Sequence, residues 1–338
     1  MKKILYIFLG LVTAASLGMA GYVYHQWRAF LTVPPQSPGH EVVFSVPPGA
    51  TFDKVTRLLA DNDLITDPEF FRLLGEKEHK FGSIQAGEFE LHTNWTPERI
   101  LETLVAGRPI QYRLSIREGL TWWETAEVIE KAGFAPAADF AKVIKDPLFL
   151  REHGIPHDTA EGYLFPETYY LTRAQVGDAQ AVADLLVKSF WKQAAKIWPG
   201  GLPDAAAIHN VVTLASVVEK ETGNFEERPM VAGVFTNRLK RRMALQSCAT
   251  VIYGLGTIFD GNLTKKHLED KTNPYNTYRH PGLPRTPICS PGLAALQAAA
   301  HPDDHKFLYF VSKKDGTHYF SKTLAEHNAA VRKYQLRR

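Results

Sequence analysis

AAAIHNVVTLASVVEKETG, residues 205–223, is the stretch from which the C-terminal half is read. At 100° per residue, Ile208, Val212, Ala215, Ser216 and Glu219 fall within one stripe, which predicts a helix from Ala205 to Thr222. Gly223-Asn224 supplies its stop. His209, Asn210, Thr213 and Lys220 make the polar side, with Glu221 on its border. Glu219 lies among the apolar residues, where a carboxyl is costly unless it is neutral or well partnered. Desolvation and the negative end of the helix dipole both disfavour its charged form. A glutamic acid still protonated near neutral pH is what cleavage of a glycosidic bond requires. The same placement suits a buried structural ion pair with Arg238 or another cation, and helix geometry leaves both readings open.

Downstream, Val231, Val234, Phe235 and Leu239 keep core spacing in a helix from about Arg228 to Arg242. LQSCATVIYG (245–254) and NPYNTYRHPGLPRTPICSPG (273–292) follow, the second a long Pro/Gly loop rich in amides and hydroxyls. Loops of that length are uncommon unless functional. Gln246, Ser247, Tyr275, Asn276, Thr277 and Tyr278 are therefore candidates to hydrogen-bond a polyhydroxylated ligand. Asp260, Glu269 and Asp270 read as surface charges. A helix from Leu293 to Ala300 precedes two strands joined by Asp315-Gly316, and a last helix closes the chain.

Upstream, YRLSIREGLTWWETAEVIEKAGF (112–134) repeats VVFSVPPGATFDKVTRLLADNDL (42–64) in order: alternating strand, Gly turn, Thr cap, amphipathic helix. In the first copy a strand around Gly87–Leu91 and a helix capped by Thr96 complete the unit. Small modules of this shape either bind extended polymers or act as spacers. The aromatic-rich EGYLFPETYYL (161–171) either fills a core or stacks on rings. Residues 179–198 read as an amphipathic helix ending at Pro199-Gly200-Gly201.

At the N-terminus, Lys2 and Lys3 precede an apolar run from Ile4 to Tyr24, long enough to cross a hydrocarbon core of about 30 Å. The positive-inside rule then places the N-terminus in the cytoplasm and the remainder outside. A cleaved signal peptide ending near Gly18-Met19-Ala20 is the competing reading, although the run exceeds the usual length of such regions. Either way the bulk of the chain works outside the cytoplasm. A formal charge of +3 over 338 residues gives no footprint for nucleic acid. Neither HExxH, CxxC nor a clustered His/Asp set occurs, so no metal or other cofactor is expected.

LASVVEKETG (214–223), ERPMVAGVFTNRL (227–239), LQSCATVIYG, NPYNTY, GLP…PICSPG and YFSKTLAEHN (319–328) occur in this order. Together they closely resemble the YceG-like family of endolytic murein transglycosylases, inner-membrane enzymes of bacterial cell-wall synthesis. The resemblance covers essentially the whole chain. It implies an α+β protein with a transmembrane anchor (1–28), a linker (29–40), a LysM-like module (41–110) and a YceG-like catalytic domain. That domain spans 111–338, opens on a second βα module and carries its core motifs in 205–328. The first Glu of EKET is the catalytic residue by this resemblance, which maps onto Glu219.

The reaction so implied cleaves the MurNAc-β-1,4-GlcNAc bond of peptidoglycan without water and leaves a 1,6-anhydroMurNAc end. One Glu serves as acid and then base, so a second carboxylate is not needed, and the core segment offers Glu219 no evident partner. Glycan-polymerising synthases are the implied partners, with trimming or termination of nascent glycan as the role. A lysozyme-like hydrolase using a carboxylate from 260–270, or a non-catalytic glycan-binding scaffold, are the alternatives. Cys248-Ala249 stands where the family commonly has Asp-Pro, Arg285-Thr286 departs from the usual GLPPGPI, and Ser290 replaces a frequent Asn. Both cysteines lie in motifs facing an oxidising compartment, so a Cys248–Cys289 disulfide is expected to tie the two loops.

Overall fold

The computed structural model describes residues 2–172 and 176–336. Two compact units result, one of residues 1–112 with 170–176 and one of 113–169 with 177–338.

In the first unit, α1 (Lys2–Thr32) is followed by β1 (Glu41–Val46), α2 (Phe52–Asp61), α3 (Pro68–Lys77), β2 (Gly87–His92) and α4 (Pro97–Ala106). From Tyr6 onward α1 is long and apolar enough to cross a membrane. It also runs beyond the expected anchor boundary at 28. Its last turns enter the core, where Phe30 is buried and Trp27 and Leu31 pack beside it. Trp27, Phe30 and Phe70 form a ring cluster with centroids 5.7–6.0 Å apart. Helix α1 ends at Thr32. β1 and β2 pair antiparallel, Phe44 opposite Phe89, and the inward residues Phe44, Val46, Phe89 and Leu91 meet Val55 and Leu59 of α2. Thr51 and Thr96 cap α2 and α4 as their hydroxyls allow.

The second unit starts within β3 (Tyr112–Ser115), continues through α5 (Trp122–Lys131), α6 (Ala137–Val143) and α7 (Pro147–Glu152), and includes the first half of β4 (Thr168–Leu171). Ile116 N–H donates to the Glu167 carbonyl at 3.0 Å, which holds the strand ends of this segment together. The repeat seen in the sequence recurs in backbone detail. Gly49 and Gly119 take φ of 70° and 77° before their Thr caps, and Asp63 and Gly133 take 55° and 77° after their helices. Tyr163, Phe165 and Tyr169 of the aromatic-rich segment are buried in the core, while Tyr170 is exposed.

Next come α8 (Ala179–Ile197), α9 (Ala205–Glu221), α10 (Arg228–Lys240), α11 (Cys248–Leu255), α12 (Lys265–Glu269), α13 (Leu293–Ala300), the hairpin β5 (Tyr309–Ser312) and β6 (His318–Ser321), and α14 (Leu324–Val331). α9 is the central helix, in contact with α10, α11 and α13. Residues 212–218 are buried without interruption. This differs from a one-sided amphipathic helix: Thr213, expected on the polar face, is 1% exposed and returns its hydroxyl to the His209 carbonyl. Neighbours on several sides demand that pattern.

Candidate active site

α9 carries two glutamates near its C-terminus. They lie two positions apart, about 200° around the helix, so they leave it in different directions.

Glu219 points into a closed cluster, with its side chain 6% exposed. Its Oε1 accepts from Arg228 Nη2 at 2.7 Å, and its Oε2 accepts from Gly292 N–H at 3.0 Å. Glu118, from the Gly turn of the second repeat, reaches the same guanidinium at 3.6 Å. A Cβ on Gly292 would fall 1.9 Å from Glu118 Oε1, so a larger residue there would displace the Glu118 carboxyl. Burial pushes the Glu219 carboxyl up; Gly292 and Arg228 oppose this, and Glu118 adds to it. The ion pair left open by the sequence is present, with Arg228 rather than Arg238 as its cation. Arg238 instead donates to the carbonyls of Leu308, Ala244 and Leu245. The expectation that Glu219 lacks a partner is corrected by Arg228 and Glu118. A carboxylate beside Glu219 comes from position 118, whereas Asp260 and Glu269 are exposed and Asp270 is engaged by Thr272.

Glu221 points into an open groove of about 430 Å³. Phe235, Arg238, Gln246, Cys248, Tyr278, Tyr309, Phe310, His327 and Asn328 also line it. Every motif after EKET thus contributes to this one cleft except the segment 282–292. The Ser247 hydroxyl donates to Glu221 Oε1. Burial pushes the Glu221 carboxyl up, while the Ser247 hydrogen bond and the charges of His318 and Arg238 pull it down. The arrangement is a half-buried carboxyl, inclined to hold its proton, on the wall of an accessible polar and aromatic cleft.

The six candidate ligand-binding residues separate into four groups. Gln246 and Tyr278 line the groove. Ser247 sits beneath Glu221, 1% exposed, where Thr277 Oγ1 accepts its N–H at 3.1 Å and Thr250 donates to its carbonyl at 2.8 Å. Asn276 and Thr277 are buried and do not face the groove. Asn276 donates to the carbonyls of His267, Leu268 and Asp270 and accepts from Tyr278 N–H, so its amide folds the loop. Tyr275 turns to Thr286, hydroxyl to hydroxyl at 2.9 Å, with its ring against Tyr253. Buried loop backbone needs such partners, and the polar side chains of 273–278 supply them.

The two cysteines are not joined. Cys248 is exposed with its sulfur 3.2 Å from the Tyr278 hydroxyl, whereas Cys289 is buried against the Ser216 carbonyl at 3.3 Å. Their different neighbours correct the expected disulfide. Glu118, Arg228 and the groove residues from the hairpin and α14 escaped sequence reading. A signal for Glu118 exists: it occupies the repeat position held by Pro48 in the first copy.

The sequence profile described as the YceG-like family matches residues 44–333. An endolytic murein transglycosylase of Bacillus subtilis strain 168 is 30% identical over 87% of this chain and 84% of its own length. One of Streptococcus pneumoniae D39 is 26% identical over 95% of this chain, which spans 63% of that longer protein. The crystal structure of a yceG-like protein from Listeria monocytogenes superposes with a TM-score of 0.58 at 30% identity, over 86% of this chain and 98% of that one.

Proposed function

The chain belongs to the YceG-like family, and from that premise we propose that it is a peptidoglycan lytic transglycosylase that cuts within glycan strands. Relatives named endolytic murein transglycosylase support the activity. The observation that carries the assignment of chemistry is Glu221: a carboxyl raised by burial that still opens on a groove of about 430 Å³. A protonated Glu221 donates its proton to the oxygen between MurNAc and GlcNAc, and the bond to C1 of MurNAc breaks. The resulting carboxylate takes the proton of the MurNAc C6 hydroxyl, whose oxygen closes on C1. No water is consumed, and the product ends in 1,6-anhydroMurNAc. Gln246, Asn328 and the rings of Tyr278 and Tyr309 offer the amides and apolar faces that amino sugars require.

Glu219 is the second reading. Burial raises its carboxyl also, and Glu118 stands beside it. Its pairing with Arg228 argues for a structural role.

The β1-α2-α3-β2 order of the first unit supports a LysM-like glycan-binding module, and loss of sedimentation with sacculi on deleting residues 41–110 tests it. α1 serves as a single-pass inner-membrane anchor with the catalytic unit on the extracytoplasmic side, which protease protection in spheroplasts tests. Termination of nascent glycan beside a polymerising synthase completes the proposal, with co-purification of such a synthase as its check. Mass spectrometry of products from purified sacculi tests the reaction. Ends one water lighter than hydrolysed ends are expected, and water-containing reducing ends alone would replace the proposal with hydrolysis.

A further inference from the structure

We propose that Ser247 is a positioning residue for the acid, a role that rests on the reading of Glu221 above. Its hydroxyl fixes the proton-bearing oxygen and steadies the carboxylate formed once the proton has left.

Ser247 lies at the N-cap of α11 and is 1% exposed, yet its hydroxyl does not cap that helix. It donates instead to Glu221 Oε1. The rest of the residue is held independently of that bond. Its N–H donates to Thr277 Oγ1 at 3.1 Å, its carbonyl accepts from Thr250 Oγ1 at 2.8 Å, and the two threonine hydroxyls are 2.8 Å apart. The Ser247 Oγ is thus presented to Glu221 by a buried threonine pair on α11 and the 273–278 loop.

A donor on Oε1 leaves Oε2, which makes no hydrogen bond among the described residues, to carry the acidic proton towards the groove. When that proton passes to the glycosidic oxygen, negative charge appears on a carboxylate already holding one O–H donor. Hydrogen bonds to charged acceptors are shorter and stronger than those to neutral ones. Ser247 therefore favours the carboxylate, and with it the first half-reaction, in which the carboxyl gives up its proton to the glycosidic oxygen. Several other groups face Glu221: Arg238 of α10, His318 of β6, Tyr278 of the loop, Cys248 of α11 and His327 of α14. Among these, Ser247 is the one whose hydrogen bond to the carboxyl is resolved.

Ser247→Ala removes the hydroxyl and keeps both backbone bonds to the threonines. It is expected to lower kcat by about tenfold to a hundredfold, the scale of a hydrogen bond to a charged group, with KM little changed. Loss of the bond also raises the Glu221 carboxyl further, so the alkaline limb of the kcat profile moves to higher pH. Ser247→Thr, which keeps a hydroxyl, is expected to restore the limb, and a thermal melt of each variant separates packing from chemistry. An alanine variant with the wild-type profile and kcat overturns the inference, as does a loss of rate that tracks the melt and leaves the limb in place. Glu221→Gln measured alongside keeps the two claims apart. Cleavage retained by that variant removes the Glu221 reading itself, whereas an inactive Glu221→Gln beside an unperturbed Ser247→Ala removes the role of the hydroxyl alone.

Discussion

Glu219 and Glu221 share a helix, a motif and a carboxyl raised by burial, but they meet opposite surroundings. Glu219 is enclosed by a guanidinium, a helix N-terminus and a second carboxylate. Glu221 has one buried hydroxyl beneath it and open space in front. A raised proton affinity is thus common to an enclosed and an open carboxyl, and what faces each of them distinguishes the two. Position along the helix matters less than what the neighbouring loops bring to each face.

The largest effect on stability should come from breaking the enclosed side. Arg228→Met strands Glu219 and Glu118 without their cation and is expected to cost about 3–5 kcal/mol in denaturant unfolding, the range for breaking a buried pair. Glu221→Gln should change stability by less than about 1 kcal/mol, since an amide of the same shape still accepts from the Ser247 hydroxyl. Equal losses in both variants would erase the distinction between the faces.

Glu161 sharpens the comparison as a third buried glutamate. Burial pushes its carboxyl up to about 8, and its Oε2 accepts Trp122 N–H at the start of α5. The folded chain keeps a proton that the unfolded chain releases above about 4.5, so the stability contributed by Glu161 is fully present below that pH. It is lost progressively as pH rises to about 8. Glu161→Gln should flatten the decline, as read from melts at about pH 5 and about pH 8. An unchanged slope would sink this account of Glu161.

The smallest expected effect concerns the cysteines. Alkylation of the native protein should modify the exposed Cys248, slow cleavage because that residue lines the groove of Glu221, and spare the buried Cys289. Denaturation without reductant should then expose a second alkylation site; alkylation of neither cysteine without reductant would restore the disulfide.

Much of the fold was readable because local rules dominate it. Thr51, Thr96 and Thr121 cap helices with the spacing their hydroxyls require, and the repeat at 42–64 and 112–134 extends to its left-handed turn positions. The end of α1 was not readable in this way. Tyr22, Tyr24 and Trp27 sit in sequence where an outer aromatic belt would be, yet Trp27 packs with Phe30 and Leu31 against the core. The site was half readable. Helix periodicity singled out Glu219 as buried, which it is, but periodicity carries no information on whether a groove or an arginine lies opposite. Asn276 and Thr277 looked like ligand donors because loop-folding and ligand-binding amides have the same composition. Glu118 required the two repeats to be aligned and their one informative difference, Pro48 against Glu118, to be noticed.

The central claim is that the open face of α9 does the chemistry. It is tested most directly by digesting purified sacculi with the full-length wild-type protein, Glu221→Gln and Glu219→Gln, and quantifying anhydro-ended products by mass spectrometry. The account predicts that Glu221→Gln loses about a hundredfold to ten-thousandfold in rate, the usual contribution of a general acid, while correctly folded Glu219→Gln stays within about tenfold of wild type, because Glu219 does not line the groove and its amide keeps one acceptor, for Arg228 or for Gly292 N–H. Abundant anhydro products from Glu221→Gln, with none from folded Glu219→Gln, would contradict it and return the acid to the enclosed face.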